Sequence, residues 1–225
     1  MPPPPPEPLA KRERRKEARP GELLEAALDL FVEKGFAATR VEEVAARAGV
    51  SKGTLFLYFP SKEELFKAVV MDSIANRFVE WNAEFATFDG SSAELLRYAM
   101  TTWWDRVGAT KASGITKLVM SEARNFPELA QFYQKEVMQP GRELIQRILQ
   151  RGISSGEFRP LNLDYAVFSV VAPMIFLIMW KHSMGPCATD VQIDPHAYIG
   201  NQIDVILHGV LTGTPPSSPT SRKAP

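Results

Sequence analysis

Apolar side chains recur every third or fourth position along almost the whole chain, and no segment alternates apolar with polar as a half-buried strand would. That periodicity restricts the fold to a packing of helices. Leu23, Leu24, Ala27, Leu28, Phe31 and Val32 form the first stripe, closed by Gly35, a residue suited to ending a helix. Thr39 with Glu42 reads as a capping box that opens a short second helix through about Ala48. Gly49 and Val50 turn the chain, Ser51 caps a third short helix, and Pro60 stops it. Ser61 with Glu64 is another capping box; it opens a long helix, 61–86, with Leu65, Phe66, Val69, Val70, Ile74 and Phe78 inward. Further helices are expected near 92–106, 112–124, 127–151, 163–181 and 195–211, the last with Asp194 as N-cap and Pro195 at its first position. The expected fold is all-α with about nine helices.

The chain has 225 residues, 45% hydrophobic and 23% charged, enough for a real core and unlike a disordered polymer. Four stretches are expected: a disordered arm over 1–18, a small helical head over 19–62, a helical body over 63–212 and a disordered tail over 213–225. The arm joins a proline run to Lys11, Arg12, Arg14, Arg15 and Lys16, and either solvates the terminus or touches a polyanion loosely. It has no apolar stretch of the kind a secretory signal needs. One cysteine, Cys187, rules out an intramolecular disulfide framework and suits a reducing cytoplasm, the expected location. Charge gives little: residues 1–62 carry 11 basic against 9 acidic side chains, and 63–225 carry 15 against 17. Any contact with a polyanion would therefore rest on a few placed cations and helix ends.

The informative window is Thr39–Leu65. Two short helices flank Gly49, with the small Ala45 four residues earlier, as the close crossing of a helix-turn-helix requires. The second of them is expected to expose Lys52, Gly53, Thr54 and Tyr58 and to turn Leu55 and Phe59 inward. Short polar groups and a glycine at its start let that end approach base edges and phosphates. A tight helical hairpin inside a core is the plainer reading of such a turn alone. The strings ALDLFVEKGFAATRVEEVAARAG and GVSKGTLFLYFPSKEELF go further: from about Pro20 to Val70 the chain resembles, without a gap, the TetR family of one-component transcriptional repressors. The resemblance implies phosphate contacts from Thr39 and Lys62, and backbone or base contacts from Ser51, Lys52, Gly53, Thr54 and Tyr58; Arg40 joins this set. Phe56 departs from the tyrosine common in relatives and lacks its hydroxyl.

Residues Tyr165–Trp180 are apolar nearly all round, so every side of that helix must be covered. The run is short for a membrane span and interrupted by Pro173, and no membrane partner is expected. One face is assigned to the core and the other to a second copy: a homodimer through Phe168, Val171, Ile175, Ile199, Ile203, Ile206 and Val210, which would set two recognition helices about one DNA turn apart on a palindromic operator. A large monomeric core is the alternative. Trp103, Trp104, Met120, Glu122, Phe126, Phe132, Tyr133 and Met174 are read as candidates for an effector pocket, for an unidentified apolar or amphipathic small molecule, although such side chains more often fill a core. Pro173 is placed to kink its helix and open such a space. Helix 61–86, running from the DNA head into the body, is the expected lever.

Two further patterns carry less. Gly152-Ile153-Ser154-Ser155-Gly156 fits the G-x-S-x-G of hydrolases, but it follows a helix where a nucleophile elbow needs a strand. A hydrolase using Ser154 is thus a secondary alternative to a non-enzymatic regulator, beside a dimeric interaction protein that has lost DNA binding. His182, Cys187, Asp190, Asp194 and His196 share a loop, but with no standard zinc spacing. No metal or cofactor is expected.

Overall fold

A computed structural model describes the backbone of residues 9–208 and the side chains of residues 20–208. Eleven α-helical segments follow one another: α1 Leu9–Ala38, α2 Val41–Arg47, α3 Lys52–Tyr58, α4 Lys62–Val70, α5 Arg77–Ala86, α6 Ser92–Trp103, α7 Ser113–Glu122, α8 Pro127–Tyr133, α9 Gln139–Ser154, α10 Leu163–Met179 and α11 Pro195–His208. π-helical turns at Met71–Ala75 and Gln134–Met138 fuse α4 to α5 and α8 to α9, so the segments make nine rods. Among the described residues there is no strand. The fold is all-α, with α1, the two short helices α2 and α3, and the start of the long α4–α5 rod forming an N-terminal head.

Local sequence explains the boundaries. Ser51, Ser61 and Ser91 each accept a hydrogen bond from the backbone N–H three residues on, which starts α3, α4 and α6. Asp194 does the same for Ala197 at the start of α11, at 2.9 Å. Gly35, at φ +84 and ψ 169, breaks the helical path near the end of α1. The beginning of α1 corrects the arm expected over 1–18. Its backbone is helical back to Leu9. The reason is composition: Ala, Lys, Arg and Glu are strong helix formers, and from Ala10 to Arg19 nothing else intervenes. Residues 1–8 and the tail over 213–225 lie outside the described residues, as does Val210.

Two hydrophobic clusters organise the interior. The larger joins the head to the body: Leu23, Phe31, Phe36, Val44, Leu55 and Phe66 share one continuous core with Ile115, Leu129, Tyr133 and Leu144. The second lies at the far end, where Leu96, Met100, Trp104, Ile148, Val170, Leu177, Ile199 and Ile203 pack together. Trp103 and Phe85 border both. The core thus runs straight across the boundary expected at 62–63. α10 stays helical through Pro173, and just past its end Lys181 Nζ donates to the carbonyls of Gly108 (2.9 Å), Ala109 (2.7 Å) and Thr110 (2.7 Å), in the stretch that follows α6. Burial lowers the Lys181 pKa.

Candidate nucleic-acid interface

The turn between α2 and α3 has the form the sequence requires. Gly49 sits at φ +68, its N–H donates to Ala46 O (3.1 Å), and Val50 N–H donates to Ala45 O (2.9 Å). Ala45 and Leu55 are buried between the two helices and the rest of the head. α3 leaves Ser51, Lys52, Gly53, Phe56 and Leu57 exposed, while Thr54 and Tyr58 are half-buried. Thr54 and Ser51 are joined hydroxyl to hydroxyl at 2.9 Å. Lys52 Nζ pairs with the Glu42 carboxylate and lies 5.7 Å from the Phe56 ring centroid. The hydrogen bond from Lys52 is the largest cause holding the Glu42 carboxyl below its ordinary pKa. Arg40 is exposed and serves as N-cap of α2, with Glu43 Oε2 accepting from its backbone N–H at 3.4 Å.

Two expected phosphate ligands are corrected. Thr39 is 1% exposed, and its hydroxyl donates to Leu30 O (3.1 Å) and Gly35 O (2.7 Å). α2 starts one residue later than the Thr39–Glu42 box requires: Arg40 is its N-cap, without a side-chain cap of its own, and Thr39 turns into the core. Lys62 Nζ donates to the carbonyls of Phe36 (2.9 Å), Thr39 (3.1 Å) and Ala37 (3.4 Å), so its three protons are already used inside the head. It also sits 4.4 Å over the Phe36 ring. Thr39→Val should accordingly lower stability by about 1–2 kcal/mol, the penalty for losing a buried hydroxyl pairing. Thermal unfolding checks this, and DNA affinity of the folded variant should stay unchanged.

The other side of the same loop is held by the body. Glu122, at the end of α7, accepts from Phe36 N–H (2.9 Å) and Ala37 N–H (3.2 Å). Phe126 packs edge-on against Phe36 at 4.8 Å, and Phe36 also contacts Phe31 and Phe66. Residues 35–39 are therefore gripped by Lys62 through carbonyls and by Glu122 through N–H groups. Composition gave no sign of this clamp; only the unusual Gly35-Phe36 ending of α1 hints that something approaches closely there.

The residues expected to form one pocket are dispersed. Trp104 and Met174 belong to the far cluster, Phe126, Phe132 and Tyr133 to the near one, and Met120 is exposed. The Tyr133 hydroxyl bonds to Thr116 at 2.7 Å, and burial pushes its pKa up to about 12. Glu122 and Phe126 do share a cleft, with Phe36, Leu118, Val119, Ala123, Leu129 and Ala130, but its roughly 180 Å³ is partly open to solvent and below the size of a typical ligand site. The dimer face is corrected too. Ile199 and Ile203 are 1% exposed, packed within their own protomer. The outward stripe belongs to α10: Tyr165, Phe168, Ala172 and Phe176, flanked by half-buried Val171 and Ile175. Ile206 is half-buried and Val205 exposed on α11. The helical stretch is also longer than expected: Leu163–Cys187 is long and apolar enough to cross a membrane by length and composition, its most apolar 18 residues having a mean hydropathy of 1.9 and being 28% buried.

A helix-turn-helix head carried on an all-helical body is the layout of a DNA-binding transcriptional regulator. The chain belongs to the TetR family: residues 23–69 match the family of bacterial regulatory proteins of tetR type, and residues 89–190 match the tetracyclin repressor-like C-terminal domain. It is 32% identical over 149 residues to the HTH-type transcriptional regulator YfiR of Bacillus subtilis, covering 65% of this chain and 71% of that protein. It is 26% identical over 197 residues to the HTH-type transcriptional repressor KstR2 of Mycolicibacterium smegmatis, covering 87% and 91%. The fold is shared with the fatty acid degradation regulator FadR from Bacillus halodurans, at a TM-score of 0.70 and 22% identity over 85% of this chain and 96% of that one. FadR from Bacillus subtilis, solved with stearoyl-CoA, gives a TM-score of 0.64 at 19% identity over 85% and 99%.

These relatives are regulators and not enzymes. Ser154 lies at the C-terminal end of helix α9, where Gln150 Nε2 donates to it at 3.2 Å, and no strand precedes it. In the 182–196 loop, His182 bonds to Ser113 (2.8 Å) and His196 faces Asp105 (3.2 Å), so the two histidines point to different partners. Among the described residues no three His, Cys, Asp or Glu side chains gather as a metal site would need.

Proposed function

We propose that the protein is a homodimeric repressor that holds a palindromic operator and releases it when a small apolar or amphipathic effector binds the helical body. The observation that carries this reading is the exposed start of α3, with Ser51, Lys52 and Gly53 open to solvent on a head whose core is continuous with the body. Arg40, Ser51, Lys52, Gly53, Thr54 and Tyr58 are the proposed DNA contacts. Binding should weaken with salt, since each phosphate contact releases counterions.

The second copy is proposed to sit on the α10 stripe, where Tyr165 is 73% and Phe168 55% exposed. That occupant also accounts for a long apolar helix without invoking a membrane, and it fits a cytoplasmic protein. The effector reading rests on linkage: a ligand that prefers the arrangement of heads unable to bind DNA must lower operator affinity. α4 is well placed as lever, since Lys67 lies 5.8 Å over the Phe132 ring of α8 while the start of α4 grips the head. An amphipathic effector agrees with the stearoyl-CoA bound to the Bacillus subtilis protein of this fold.

Operator binding by variants tests the DNA reading. On a duplex selected from genomic DNA, Lys52→Ala and Tyr58→Ala should each weaken binding about fivefold to thirtyfold while leaving the unfolding transition of Lys52→Ala in place. If neither variant changes affinity, the interaction-protein reading replaces this one.

A further inference from the structure

We propose that Leu57 reads sequence directly, selecting a thymine through its C5-methyl group. The inference rests on the DNA-binding reading above and assigns that surface a base preference. Leu57 is 84% exposed, on a seven-residue helix whose other leucine, Leu55, is fully buried. At about 100° per residue, Leu57 falls on the side of α3 opposite Leu55, directly above Gly53 one turn earlier. Phe56, also exposed, flanks it.

Gly53 points the same way for an independent reason. Its φ is not positive, and a Cβ added there would meet only Ser51 Oγ, at an ordinary 3.7 Å. Nothing inside the head demands a glycine at this position. A bare backbone there brings α3 closer to whatever faces it, and it lets the side chain one turn later reach further in. Lys52, the one charged residue of α3, is engaged by Glu42 and leans over Phe56, so its charge lies to one side of Gly53 and Leu57.

Gly53 and Leu57 themselves therefore offer no side-chain hydrogen bond. In the major groove the one apolar feature on a base edge is the thymine methyl, which an aliphatic side chain recognises by contact. Leucine at position 57 thus favours thymine over cytosine at one base pair in each half-site. The contact adds specificity without adding salt dependence.

The test uses the full-length protein and a duplex recovered by selection from genomic fragments. Thymines are replaced one at a time by deoxyuridine, which removes the methyl and nothing else. Wild-type protein should lose about fourfold in affinity at one position per half-site, the worth of burying one methyl. Leu57→Ala should bind the unmodified duplex more weakly by a similar factor, lose the difference between thymine and uracil at that position, and unfold at the wild-type temperature because the side chain makes little contact. A wild-type protein indifferent to every replacement, or a Leu57→Ala variant that still distinguishes the two bases, overturns the assignment alone. A wild-type protein without preference for the unmodified duplex over random DNA overturns the DNA-binding reading with it.

Discussion

Gly35→Ala is expected to destabilise the protein by about 3 kcal/mol, from two separate causes. The backbone there, at φ +84 and ψ 169, is a region that residues with a Cβ hardly enter. The new methyl would also stand 2.5 Å from Glu122 Oε1, so the carboxylate must leave. Phe36 and Ala37 then lose the acceptor for their N–H groups. The causes can be separated by denaturant unfolding of a double-mutant cycle. Glu122→Ala removes the acceptor but not the backbone strain. The double variant should therefore be less destabilised than the sum of the singles, by about 1 kcal/mol, and still well below wild type. Strict additivity would mean that Glu122 and Gly35 do not meet. Because this loop leads directly into α2, loss of the clamp should also reduce the response of DNA binding to effector.

Phe168→Arg carries the other large effect. Phe168 is in the middle of the exposed α10 stripe, so an arginine there disturbs little inside the protomer but places two like charges across the proposed interface. Light scattering should shift from dimer to folded monomer. Operator affinity should fall about a hundredfold or more, because two tethered heads bind with an effective concentration that separate heads lack. Ile199→Arg should behave differently: that side chain is packed against the far core, so the variant should fail to fold. A Phe168→Arg protein that remains dimeric would move the interface elsewhere.

The sequence carried the helices well and their faces poorly, for reasons visible in single residues. Serine caps at 51, 61 and 91 and glycines at 35 and 49 act locally, so their effect could be read from neighbouring positions. Thr39 was ambiguous because a threonine with a glutamate three residues on fits a capping box, yet the chain starts α2 one residue later and spends the hydroxyl on Leu30 and Gly35. α10 is apolar on every side, so spacing could place Phe168 and Val171 on that helix without saying which faces outward. α11 carries one apolar side, and it turns Ile199 and Ile203 inward. The Glu122 clamp joins residues more than eighty positions apart, and no local pattern marks such a pair. Leu57 was legible in principle, since it lies two positions from Leu55 and two neighbours on a helix cannot both face the core.

Selection of genomic fragments by the purified full-length protein tests the central claim most directly. An enriched inverted repeat is predicted, with half-site centres separated by one helical turn, about 34 Å, and occupied by one dimer. Recovery of fragments with no shared sequence, at the level obtained without protein, would contradict it.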